Sequence, residues 1–128
     1  MRTLWGWAAL ALVPAGLAGC GGSWAAPYLD AVREKLRAEA ELTDTLARVT
    51  DRESFRAARE RMRQDYEKCE QIRRKFMALP PPSDAVKDRV EQELGNEVAA
   101  SVARLARESK RVQDLVGEAE FMELQSLK

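Results

Sequence analysis

The amino-acid sequence predicts an all-α protein: a three-helix antiparallel bundle with a long third helix, placed after a cleaved signal peptide. Three observations predict it. Apolar residues recur at spacings of three and four over most of residues 27–128, which is typical of amphipathic helices. Breaks divide this pattern near residue 50 and at Pro80–Pro82, because no helix interior accepts consecutive prolines. An uncharged run at residues 4–18 precedes it.

Residues 1–19 have the composition of a secretory signal. Arg2 supplies a positive charge, residues 4–18 are uncharged, and small residues end the segment. The run is shorter than the ~20 apolar residues that a membrane-spanning helix needs, and Pro14 interrupts it. We therefore expect a cleaved signal peptide.

The end of this segment, Leu17-Ala18-Gly19-Cys20, resembles the lipobox of bacterial lipoprotein precursors. In that family the cysteine sulfur receives a diacylglycerol, the chain is cut before the cysteine, and the new amine is usually acylated. The resemblance implies lipidation at Cys20, and two or more acyl chains give stable membrane anchoring. Residues 20–26 would then form a flexible tether. The alternatives to lipidation are an ordinary signal peptide cut at another bond and an uncleaved anchor.

The same resemblance implies a location in the cell envelope. In diderm bacteria, an acidic residue directly after the lipidated cysteine marks such a lipoprotein for retention in the inner membrane. Gly21 stands there, so a diderm cell would place the protein on the periplasmic or surface face of the outer membrane. Trp24 suits the headgroup level of a bilayer, or makes an ordinary hydrophobic contact.

The first helix is predicted at about residues 27–49, with Pro27 in its first turn. Its apolar stripe consists of Leu29, Val32, Leu36, Ala40, Leu42, Leu46 and Val49. Residues 50–53, T-D-R-E, indicate a capping box between Thr50 and Glu53 at the start of the next helix. The stripe also loses its phase between Val49 and Phe55, so we expect a break near residue 50.

The second helix is predicted at about residues 51–79 and carries the clearest stripe of the chain. Its members are Phe55, Ala58, Met62, Tyr66, Cys69, Ile72, Phe76 and Leu79. Cys69 is the only cysteine besides Cys20, so no intramolecular disulfide is expected once Cys20 carries lipid. Its place on the stripe predicts a buried, unreactive thiol, with a disulfide between two copies as the alternative.

The third helix is predicted at about residues 83–124, with Ser83 as its N-cap and Gly95-Asn96 as a point where it could kink. Its stripe consists of Val86, Val90, Leu94, Val98, Val102, Leu105, Val112, Val116 and Ala119. At about 60 Å it would outreach the second helix, at about 42 Å. We therefore expect residues 112–127 to project, to pack on the tether side of the first helix or to meet another chain, which makes this end the predicted interaction surface. Fraying of the terminal turn is the alternative explanation of its exposed apolar residues.

Composition limits the classes of function. Removing residues 1–19 takes one basic residue, Arg2, from the 21 Lys and Arg and none from the 21 Asp and Glu. The mature chain is then nearly neutral, which argues against nucleic-acid binding. The chain has no histidine, so a nucleophile lacks its usual base. We expect neither an enzyme nor a cofactor.

Two glutamate pairs and one cation cluster are candidate sites. The pairs Glu93/Glu97 and Glu120/Glu123 have the spacing of metal-binding carboxylates, but di-iron bundles also use Glu-x-x-His. Solvated surface charge is the better interpretation, and no metal site is predicted. The cluster Arg73, Arg74 and Lys75, near the end of the second helix, is a candidate patch for an anion or a lipid headgroup. The alternative is charge pairing within the bundle.

Two further resemblances bear on function. The segments V-T-D-R-E-S-F-R-A-A, L-P-P-P-S-D and E-V-A-A-S-V-A-R-L-A resemble small helical bacterial lipoproteins of unassigned function, over about residues 42–106. A lipid-bearing start and a final Lys128 resemble the murein-linked lipoproteins, in which that lysine is joined to peptidoglycan. We expect a membrane-anchored structural or adaptor module that binds a protein partner or itself by helix packing. A covalent tether to peptidoglycan through Lys128 is the alternative.

Overall fold

The structure, a computed structural model, describes residues 24–126 and is helical over most of them. Its helices are α1 (Ala26–Ala47), α2 (Arg52–Ala78), α3 (Asp84–Val116) and α4 (Glu118–Ser126). The predicted all-α bundle with a long third helix is confirmed. Cys20 and Lys128, the predicted lipidation and wall-linkage residues, lie outside the described residues.

The N-cap of α2 lies one residue later than the sequence predicts. Asp51, not Thr50, is the N-cap: its Oδ1 accepts from the Ser54 amide at 2.7 Å. The Ser54 hydroxyl oxygen accepts in return from the amides of Asp51 and Thr50. The predicted Thr50–Glu53 box is therefore wrong, because the Asp51 and Ser54 side chains already form the reciprocal pair.

The second break lies where the prolines predict it. α2 ends at Ala78, and Leu79 is already extended, as the residue before a proline prefers. The Ser83 side chain accepts from the Val86 amide at 3.3 Å and caps α3, as predicted. The chain therefore reverses direction through Pro80–Pro82.

The single third helix predicted for residues 83–124 is wrong. α3 runs through Gly95 without a break and ends at Val116, where Gly117 has a φ of 94°. That left-handed conformation favours glycine and turns the chain back into α4. Phe121 and Leu124 of α4 are only 3% and 2% exposed. α4 thus packs on α2 and α3 rather than projecting.

α1 is the central helix of the bundle. It packs along both α2 and α3, whereas α2 and α3 touch each other little. Ion pairs show the directions. Lys75 and Lys68 reach Glu34 and Glu41 in reverse order, so α2 is antiparallel to α1. In the pairs Arg33–Glu93 and Asp44–Arg104, residue numbers increase along α1 and α3 together, so α3 is parallel to α1.

Two hydrophobic clusters fill the bundle along its length. The tether-end core lies where α1 starts, α2 ends and α3 starts, the end of the bundle that we call the tether end. It contains Ala25, Tyr28, Leu29, Val32, Val86, Val90, Leu94 and Val98. The far-end core lies at the opposite end, which we call the far end. It contains Leu42, Leu46, Val49, Phe55, Met62, Val112, Val116, Phe121 and Leu124.

Candidate functional site

The tether end exposes large apolar side chains. Trp24, just before α1, and Met77, in the last turn of α2, are 45% and 44% exposed. The Tyr28 hydroxyl donates to the carbonyl oxygen of Pro80. The rings of Tyr28 and Phe76 meet edge to face, with centroids 6.2 Å apart. These contacts hold the start of α1 against the end of α2, so Trp24 and Met77 lie at the same end of the bundle.

The predicted cation cluster lies at the same end and is paired with carboxylates. Arg73 and Arg74 approach the same Glu70 oxygen at 2.6 Å and 3.4 Å, and Lys75 lies 3.7 Å from Glu34. The hydrogen bond from Arg73 lowers the pKa of Glu70 to about 2. A bound anion would compete with two carboxylates for three cations. The anion patch stays a prediction.

Cys69 is half-buried against the far-end core and forms no disulfide. Burial, followed by the nearby carboxylates of Glu39 and Asp65, raises the pKa of its thiol to about 11. Because the thiolate is the reactive form, this cysteine is poorly suited to act as a nucleophile near neutral pH.

A buried polar contact between α1 and α2 was not predicted from the sequence. Asp65 is 3% exposed, and its Oδ2 accepts from the Thr45 hydroxyl at 2.7 Å. Arg61 lies 3.3 Å from its other oxygen. Asp65 follows Met62 by three residues and precedes Cys69 by four, so its position on the apolar face was the available signal.

A second polar contact joins α1 to α3 at the level between the two cores. Glu39 is buried and accepts from the Ser101 hydroxyl at 3.3 Å, while Lys35 lies 3.9 Å away on its own helix. Like Asp65, Glu39 falls on the apolar face of its helix, three residues from Leu36 and three from Leu42. Buried polar groups with partners favour one relative register of the helices.

Arg111 of α3 donates hydrogen bonds to backbone carbonyl oxygens at the end of α1 and just after it. Its two terminal nitrogens donate to the carbonyl oxygens of Val49 and Leu46, each at 2.8 Å, and its Nε donates to Glu108 at 2.8 Å. Carbonyls at a helix end lack partners within the helix and carry partial negative charge. Nothing in the local sequence around Arg111 indicates this role, because the two carbonyl oxygens belong to residues more than 60 positions away.

The far end has its own exposed apolar side chains. Leu115, near the end of α3, and Met122, on α4, are 40% and 48% exposed. They flank the Gly117 turn, where the sequence-based interaction surface was placed. The apolar residues of 112–124 therefore form two sets. Leu115 and Met122 are exposed, whereas Val112, Val116, Phe121 and Leu124 are buried in the far-end core.

Three of the four paired glutamates, Glu93, Glu120 and Glu123, form ion pairs with arginines, and Glu97 is exposed. Glu93 accepts from Arg89 at 2.8 Å and from Arg33 at 3.4 Å. Arg56 and Arg59 bridge α2 to Glu120 and Glu123 of α4, at 3.3 Å and 2.9 Å. Over residues 24–126, no three His, Cys, Asp or Glu side chains are grouped to hold a metal ion.

Comparisons with known proteins give no assignment. Searches against protein-family models, curated proteins and solved structures found no match for this chain. Within the described part of the chain, none of the helices combines the length and apolar character needed to cross a membrane.

Proposed function

We propose that this chain is a membrane-anchored envelope lipoprotein whose helical domain acts as a structural or protein-interaction module, without catalytic activity. The observation that carries the proposal is the motif Leu17-Ala18-Gly19-Cys20 after an uncharged run. Its resemblance to the lipobox supports a lipid on Cys20. The helical domain starts close behind it, at Ala26, so a short tether would hold the domain near the bilayer.

The distribution of exposed groups supports a role in binding rather than in chemistry. The sides of the bundle are covered by ion pairs between helices, such as Lys68–Glu41 and Arg104–Asp44. The raised thiol pKa of Cys69 disfavours nucleophilic chemistry at that residue. Leu115 and Met122 at the far end are the exposed apolar groups farthest along the bundle from the tether, where a partner helix could pack on them.

The anchor is tested by labelling cells with an alkyne fatty acid. Wild type and the control variant Cys69→Ala should both incorporate the label and appear in the membrane fraction. Cys20→Ala should incorporate none and retain residues 1–19, because the lipid is attached through the Cys20 sulfur. Label retained in Cys20→Ala would contradict the proposal.

The binding role is tested with a photo-reactive amino acid at position 122, and with the same group at position 77 as the matched control. Irradiation of intact cells should give a defined protein adduct from position 122. Leu115→Glu should abolish that adduct, because a charge would enter the apolar contact. No adduct from either position, together with a muropeptide mass on Lys128, would favour the peptidoglycan tether instead.

A further inference from the structure

We propose that the tether end of the bundle is itself a membrane-contacting surface. The bundle stands end-on upon the bilayer, with Trp24 and Met77 in the interfacial layer and the far end directed away. This inference rests on the proposed lipid at Cys20. It goes beyond the anchor because it assigns an orientation to the folded domain and a second, non-covalent contact with lipid.

The first step is the reach of the chain. Only Gly21–Ser23 separate Cys20 from Trp24, and an extended chain spans at most ~3.5 Å per residue. The Cα atoms of Cys20 and Trp24 therefore lie within about 14 Å of each other. The polar layer on each side of a bilayer is about 5–7 Å thick. An indole that is 45% exposed and held this close to the lipid has the headgroup region within reach, where indole rings are favoured.

The second step is that the fold, and not the tether alone, builds the surface. Met77 comes from a different helix, and its exposure of 44% nearly equals that of Trp24. The hydrogen bond from Tyr28 to Pro80 and the contact of Tyr28 with Phe76 fix the two helix ends side by side. Membrane contact at Trp24 therefore brings Met77 to the same level.

The third step concerns the backbone at this end. The connection between α2 and α3 passes through Pro80–Pro82, which have no backbone N–H groups. Amide donors without partners are costly in the poorly hydrated part of a bilayer. A turn made of prolines reduces that cost where the tether end faces lipid.

The fourth step is the charge of the same end. Arg73, Arg74 and Lys75 are paired with Glu70 and Glu34, so two carboxylates reduce the positive charge of this cluster from three to one. The contact is therefore apolar in character, and it should depend little on lipid charge or on salt. An electrostatic headgroup site at these cations would behave in the opposite way.

Trp24 is the natural probe, because removal of residues 1–19 takes away Trp5 and Trp7 and leaves it as the only tryptophan. The lipid-carrying mature protein is reconstituted in phosphatidylcholine vesicles that contain brominated lipids. We expect a blue-shifted emission, quenching by lipids brominated near the headgroup, and protection from acrylamide. The result should not change with 0.5 M salt or with added phosphatidylglycerol. Quenching that requires phosphatidylglycerol and disappears in salt would overturn the apolar contact.

Moving the tryptophan tests the orientation. In a Trp24→Phe background, Met77→Trp and Met122→Trp form a matched pair, because the native side chains are 44% and 48% exposed at opposite ends. Brominated lipid should quench the first variant and not the second, provided that circular dichroism shows both to be folded. Equal quenching of the two would mean that the bundle lies flat, which contradicts the proposal.

The failures of anchor and orientation are distinguishable. An intact mass without lipid on Cys20 would overturn the proposed function. A lipid-carrying, vesicle-bound protein whose Trp24 is quenched by acrylamide and not by brominated lipid would overturn only the end-on contact.

Discussion

The far-end core and the tether-end core belong to the same bundle, but they are closed to different degrees. In the far-end core, Leu46, Val49, Phe55, Met62 and Val112 have no solvent exposure. In the tether-end core, residual exposure reaches 9%, and the aromatic ring that completes it, Phe76, is only half-buried. The far-end core is therefore the better shielded from solvent.

The difference has identifiable structural causes. At the far end, α4 folds back to cover the core, and Arg111 of α3 donates to the carbonyl oxygens of Leu46, in the last turn of α1, and of Val49, just after it. At the tether end, no fourth helix within residues 24–126 covers the core, and α1 and α2 are joined by the Tyr28 hydrogen bond, an edge-to-face ring contact and the Lys75–Glu34 ion pair. We therefore expect the half of the molecule farther from the proposed lipid to contribute more to stability, although both ends expose apolar side chains.

The largest expected effect comes from deleting one aromatic ring in each core. Phe55→Ala leaves a cavity in a sealed site and should lower the free energy of unfolding by about 3–5 kcal/mol. Phe76→Ala, the matched change at the tether end, removes a half-exposed ring and should cost about 1–2 kcal/mol. Urea unfolding of the detergent-solubilised mature protein, followed by circular dichroism, measures both. Equal losses would contradict the difference between the cores.

The next effect concerns the closure of α1. Arg111→Met keeps the aliphatic stem but removes the donors to Leu46 and Val49, and should cost about 1–3 kcal/mol. The control is Arg104→Met, which removes an exposed ion pair with Asp44 and should cost about 0–1 kcal/mol. The same unfolding experiment compares the two. If Arg104→Met lowered the free energy of unfolding as much as Arg111→Met, the proposed role of the Arg111 hydrogen bonds would be wrong.

A smaller effect on stability is expected at two glycines, Gly117 at the end of α3 and Gly95 within α3. Gly117→Ala places a side chain at a φ of 94° and should cost about 1–2 kcal/mol, although nothing lies within 4 Å of its Cβ. Gly95→Ala is in a helix interior, where alanine is favoured by up to about 1 kcal/mol over glycine. The new Cβ would meet only the flexible Glu91 side chain, at 3.2 Å. Thermal unfolding should show opposite signs, and the account of α4 fails if Gly117→Ala stabilises.

The last prediction concerns Cys69, at the boundary of the far-end core, and is measured as chemical reactivity rather than as stability. With a pKa of about 11, far less thiolate forms at pH 8 than in an ordinary cysteine. Alkylation by iodoacetamide should therefore be slower by about two orders of magnitude than in the urea-unfolded chain, where the pKa is about 8.5. The native rate should rise about tenfold per pH unit toward pH 10, because the thiolate fraction does. A native rate equal to the unfolded one would show that this boundary is open.

Much of the fold follows from periodicity and helix-breaking residues. The stripe of α2 and the prolines after it place Phe55, Met62 and Ile72 in the interior, where the structure has them. The α3/α4 break was missed because Val112 and Val116 continue the stripe in phase, and apolar residues resume soon after Gly117. The five-residue step from Val116 to Phe121 was the only phase signal.

The polar contacts were harder to predict, since they depend on which residues meet across helices. Asp65 and Glu39 could have been singled out by their places on apolar faces, but their partners Thr45 and Ser101 could not. Arg111 is one of many arginines, and only the parallel packing of α3 on α1 brings it to the last turn of α1. Local sequence carries no record of such distant pairings.

The central claim is that a lipid on Cys20 holds the domain at a membrane, and the intact mass of the protein purified from cell membranes tests it most directly. We predict a chain that starts at Cys20 and carries the mass of a diacylglycerol and an additional acyl group. A chain that starts at Met1 with no added mass would contradict the anchor and the orientation built upon it.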